Sequence, residues 1–141
     1  MNSKRLLLAI VAAFAAIFFT DFLIHGLWME PVYKATMHLW RTDAEMQAHM
    51  GWLCAGQLLA TVTFVLIWAK GFAATGGRKC AVIYGFCMGL FSQANTLISY
   101  AVQPLTTEIV WKWMLSGVLQ GIVLGLVVQA VYKPVADGAA K

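Results

Sequence analysis

Leu6-Leu7-Leu8-Ala9-Ile10-Val11-Ala12-Ala13-Phe14-Ala15-Ala16-Ile17-Phe18-Phe19-Thr20-Asp21-Phe22-Leu23-Ile24-His25-Gly26-Leu27-Trp28-Met29 is a run of 24 residues with one carboxylate and no lysine or arginine. A helix needs about 20 apolar residues to cross roughly 30 Å of hydrocarbon, so the run suffices for one span. Glu30-Pro31 stops it. Lys4 and Arg5 ahead of an apolar run also begin a secretory signal, but this run continues to Trp28, well past the usual apolar core of such a peptide. It is expected to be a retained anchor.

Three further runs repeat the pattern. Together they predict spans at about 6–29, 46–69, 80–102 and 109–132. They must be helices, because lipid offers no partner to free backbone groups, and none shows the alternation of a barrel strand. Composition agrees. Of 141 residues, 61% are hydrophobic and 11% charged, with a mean hydropathy of +0.75; a soluble domain carries about a quarter charged residues. The chain is therefore expected to form one all-α transmembrane domain, 1–141, built as a four-helix bundle.

Orientation follows from the cations. Lys4, Arg5, Lys70, Arg78, Lys79, Lys133 and Lys141 fall on one side, and Lys34, Arg41 and Lys112 on the other. Seven against three places both termini in the cytoplasm by the positive-inside rule, in a membrane taken to be a bacterial inner membrane. The net charge of +4 is spent on these topology signals, and nothing in it favours nucleic acid. Cys54, Cys80 and Cys87 have no metal-ligand spacing and behave as small hydrophobes.

Between the first two spans, 31–41 predicts a short interfacial amphipathic helix. Val32, Tyr33, Thr36, Met37, Leu39 and Trp40 share one face, and Lys34, His38 and Arg41 the other. Thr42 and Glu45 then form a capping box that opens the second span. A faint repeat pairs Asp21-Phe22-Leu23-Ile24 with Asn95-Thr96-Leu97-Ile98, and Trp52 with Trp113, as two hairpins would. Trp28, Trp40, Trp52, Trp111 and Trp113 collect toward the extracytoplasmic side as an aromatic belt, with Trp68 toward the other.

Two ridges of small residues, Ala81/Gly85/Gly89 and Gly117/Gly121/Gly125, allow helices to approach backbone to backbone. They serve either packing within the chain or contact with another subunit or a second copy.

Polarity inside the spans is one-sided. Asp21, His25, His49, Gln57, Gln93, Asn95, Ser99 and Gln120 all lie in extracytoplasmic halves. Asp21 sits about 12 Å of helix from that end, too deep for its side chain to reach water. Such an acid is costly and faces a partner. His25, one turn on, can bond it directly and have its tautomer set. The bland alternative makes these residues interhelical hydrogen bonds and nothing more.

Three functions remain open. The first is an accessory or assembly subunit that docks on a larger membrane complex, favoured by short loops and glycine ridges. The second is a binding or transport module whose pocket, lined by the eight residues above, opens to the extracytoplasmic side. The third is a haem or transition-metal protein using Asp21, His25 and His49, although no recognised ligand motif occurs. No nucleophile elbow, phosphate loop or dinucleotide fingerprint occurs either, so neither an enzyme nor a bound cofactor is expected.

Overall fold

The computed structural model describes residues 2–74 and 76–132. Among them there is no strand. α1 (Ser3–Asp21) runs directly into a π-helical segment, Phe22–Trp28, and then come α2 (Glu30–Ala35) and a 3-10 turn, Met37–Leu39. α3 (Asp43–Ala48), α4 (Met50–Gly71), α5 (Arg78–Val102) and α6 (Thr107–Val131) complete the chain. Ser3–Trp28, α4, α5 and α6 are each long and apolar enough to cross a membrane. Lys133 and Lys141, two of the seven cations that set the expected orientation, lie outside the described residues.

Caps account for several boundaries. Asn2 accepts from Arg5 N at 3.1 Å and starts α1; Thr106 accepts from Ile109 N at 3.4 Å and starts α6. The Thr42/Glu45 capping box is formed, but it opens the separate helix α3. At His49 the backbone departs from helical angles, and α4 begins one residue later. The 31–41 segment is likewise in two pieces. Thr36 turns its hydroxyl back onto Val32 O at 2.8 Å and receives Trp40 Nε1 at 3.0 Å, which ends the helix there. Val32 and Thr36 are buried and Tyr33, Leu39 and Trp40 half-buried, whereas Met37 is exposed despite sharing their expected face.

Two apolar clusters fix the up-and-down arrangement. One joins Ala9 and Ala13 of α1 to Val65 and Trp68 of α4, Ala81 and Tyr84 of α5, and Leu124 and Val128 of α6. The other, at the far end, joins Met29, Val32 and Ile109. The first lies at the basic end, beside Lys70, Arg78 and Lys79. The second lies at the acidic end, where Glu30, Asp43, Glu45 and Glu108 collect.

α5 and α6 meet backbone to backbone, through the two small-residue ridges, within the chain. Gly85 and Gly121 face each other's carbonyl oxygens, and a Cβ on Gly121 would stand 2.8 Å from Gly89 Cα. One on Gly89 would stand 2.9 Å from Gly117 O. Gly117 also makes room for the Gln93 side chain, and Gly125 for the Ala81 carbonyl. At Gly85, Gly89, Gly121 and Gly125 an added Cβ would meet backbone, whereas at Gly117 it would meet only the Gln93 side chain. α4 is held differently, by α1 and by one tyrosine of α5. The Tyr84 hydroxyl donates to Phe64 O at 2.5 Å, and its ring packs on Phe64, Trp68 and Phe72 at centroid distances of 4.7, 5.5 and 5.1 Å. The first half of α4 is largely exposed, Trp52 to 79%.

Candidate functional site

α1 brings Asp21 against α4 and α6. Gln57 Nε2 of α4 donates to Asp21 Oδ2. Gln120 Nε2 of α6 donates to Asp21 Oδ1 at 2.7 Å and to Thr20 Oγ1 at 2.7 Å, so both hydrogens of that amide are used. Thr20 can accept because its own proton goes back to Ala16 O at 2.9 Å or Ile17 O at 3.0 Å. Thr61 steadies the turn that carries Gln57 by donating to its backbone oxygen at 2.7 Å. One carboxyl group thus ties three helices. Gln57 Oε1 is buried with no partner among the described residues.

His25 is not bonded to Asp21, because the helix changes register between them. Backbone bonds in this stretch run to the fifth residue back, as from Met29 N to Ile24 O at 2.8 Å, which marks a π-helix. His25 Nδ1 lies 2.6 Å from the Tyr33 hydroxyl, and that oxygen also accepts from Trp113 Nε1 at 2.8 Å. The hydroxyl gives its proton to Nδ1 or accepts one from it, according to the His25 tautomer. Trp40 closes the group, edge-on to Tyr33 at 5.3 Å and 6.0 Å from Trp113. Burial pushes the Tyr33 phenol above its usual value; the Trp113 N–H pulls it back, and the Asp21 charge adds to the rise.

The remaining expected site residues stand apart. Gln93 accepts from Thr96 Oγ1 at 2.7 Å and donates to Ser92 Oγ at 3.1 Å, all within α5. His49 is exposed, its Nδ1 2.7 Å from Glu45 O at the break before α4. Asn95 is exposed and Ser99 half-buried, both on α5. Of the eight residues, Asp21, Gln57 and Gln120 are brought together. His25 joins a neighbouring aromatic group, and the other four do not converge on either.

Among the described residues no three His, Cys, Asp or Glu side chains form a metal-binding group, and Asp21, His25 and His49 are no exception. A shallow crevice of about 190 Å³ between α1 and α6 reaches Thr20 and Gln120, but Leu23, Ile24, Leu119 and Val123 make its walls apolar.

Tyr33, Trp113 and Thr20 were not among the expected site residues. Tyr33 and Trp113 read as interface aromatics, and their approach to His25 depends on the π segment. No protein-family model matches this sequence, and no curated protein or solved structure matches it.

Proposed function

We propose that the chain is an integral membrane protein with its basic end in the cytoplasm of a bacterial inner membrane, acting as an accessory or assembly subunit on a larger membrane complex. The supporting observation is a contrast among glycines. Gly85, Gly89, Gly117, Gly121 and Gly125 are all filled by neighbours inside the chain, whereas Gly51 and Gly56 meet nothing within 4 Å. They lie on the exposed half of α4, beside Ala55 and Ala60, which are also exposed. Small residues admit a second helix to close range, and here the chain itself supplies none.

The polar residues agree with this reading. Asp21, Gln57, Gln120 and Thr20 bond to one another and are spent on holding helices together. Isolation in mild detergent is expected to yield the chain with a fixed membrane-protein partner. Gly56→Leu should release that partner and leave the bundle folded. A preparation that is monomeric throughout, with no photo-crosslink from a reactive residue at position 56, counts against it. A ladder of crosslinked copies would replace the larger complex with a homo-oligomer.

A second reading, a binding or transport module open to the extracytoplasmic side, draws on one observation. Gln57 Oε1 is a buried acceptor left unsatisfied next to Asp21, and a bound donor would satisfy it. On that reading Asp21→Asn abolishes function in cells while folded protein persists at its normal level. Unchanged function ends it.

A further inference from the structure

Toward the basic end, α4 and α5 leave a groove of about 640 Å³, within the range of ligand-binding cavities. Ile67 and Phe72 line it from the α4 side, and Ile83, Cys87 and Met88 from α5. Tyr84, which bonds Phe64 O of α4, lines it too, and Lys79, in the first turn of α5, lines its basic end. Long apolar walls with a cation at one end suit an amphiphile with a hydrocarbon tail and an anionic head.

The distribution of charge sharpens this. Lys70 lies in the last turn of α4, and Arg78 and Lys79 begin α5. Glu30, Asp43, Glu45 and Glu108 stand at the opposite end, where Glu30 takes Lys34 and Glu108 takes Lys112, each at 2.7 Å. Among the described residues no carboxylate stands at the basic end to neutralise Lys70, Arg78 and Lys79. Gly77 gives α5 no side-chain cap, so the first N–H groups of that helix add to the same positive field.

We propose that this groove binds an anionic phospholipid, with one acyl chain between α4 and α5 and the phosphate at Lys79 and Arg78. A zwitterionic lipid can fill the apolar part equally well, but its choline faces three cations. Basic pockets between spanning helices favour anionic headgroups for this reason. The lipid would brace α4 on the side that faces α5, where Tyr84 makes the hydrogen bond between the two helices. The proposal depends on membrane insertion and not on the docking reading, since groove and glycines lie on different stretches of α4.

Native mass spectrometry of the detergent-purified full chain tests it, by titration with phosphatidylglycerol and with phosphatidylcholine of the same acyl chains. Phosphatidylglycerol should be retained about tenfold better. Arg78→Gln with Lys79→Gln should remove that preference, Cys87→Trp should weaken both lipids by filling the groove, and Lys34→Gln at the other end should change neither. Circular dichroism confirms that each variant is folded, and Lys79→Gln alone serves if the double variant is not. Equal retention of the two lipids, or an unchanged preference in the cation variants, overturns the proposal. So does displacement of phosphatidylglycerol by inorganic phosphate with no effect of Cys87→Trp, which would make the site one for free phosphate.

Discussion

Asp21 was legible as an oddity from the sequence, because one acid in 24 otherwise uncharged residues is expensive in lipid. Its partners were less so. Gln57 and Gln120 were two of several amides on candidate helices, and only the packing of α1 between α4 and α6 selects them over Gln93 and Asn95. Removing Asp21 leaves two amide donors without their acceptor, and the size of that loss is measurable. A double-mutant cycle of Asp21→Leu and Gln120→Leu, by denaturant titration in detergent, should give a coupling of about 0.5–1.5 kcal/mol, the range of interhelical hydrogen bonds in membrane proteins. No coupling would mean that Asp21 does not hold α6. Tyr33→Phe is the matching test in the aromatic group. It removes the acceptor of Trp113 Nε1 and the hydrogen bond to His25 Nδ1, so the emission of the tryptophans near position 33 should shift while helix content stays constant.

At the level of the helix, the strongest consequence concerns glycine. The α5–α6 crossing brings backbone against backbone, and a methyl group at Gly121 has nowhere to go. Gly121→Ala should cost about 1–3 kcal/mol by overpacking, whereas Gly56→Ala, in open space, should leave the isolated chain's stability within about 0.5 kcal/mol. Equal effects would contradict the crossing.

The capping box gives a second test. Glu45 accepts from Thr42 N at 2.9 Å and Thr42 Oγ1 at 2.8 Å, and the Thr42 backbone bond, then its hydroxyl, holds the carboxyl below its usual value. A depressed folded value means that the carboxylate's contribution is present above the unfolded value of 4.5 and is lost as pH falls through the lower, folded one. Amide-exchange protection in α3 should fall over that acid window in the wild type and show no such step in Glu45→Gln. The box itself was readable from Thr42 and Glu45. The break at His49 was not: Gly51 lies two residues on, but it sits inside α4, and a lone glycine in an apolar run does not by itself mark a break. The same holds for the π segment: Gly26 lies within it and Pro31 just beyond, but neither marks a change of register, and that change decides that His25 meets Tyr33 rather than Asp21.

For the molecule as a whole, hydropathy was enough to find four long apolar helices, since each run exceeds a span in length and the chain has few charges to confuse them. The faint repeat did not foretell equivalent environments. Asp21 is bonded on both oxygens while its counterpart Asn95 is exposed, and Trp113 is bonded to Tyr33 while Trp52 is 79% exposed. Two hairpins with similar alphabets are packed by different means, one through polar side chains and one through glycine.

The proposed orientation puts Lys34 outside and Lys70 inside. It is tested most directly by single cysteines at those two positions, in a background with Cys54, Cys80 and Cys87 replaced, labelled by an impermeant maleimide in intact cells. Four alternating spans require labelling of Lys34→Cys in intact cells and of Lys70→Cys only after permeabilisation. Labelling of both from the same side, or recovery of the chain in the soluble fraction, would contradict the membrane-spanning bundle.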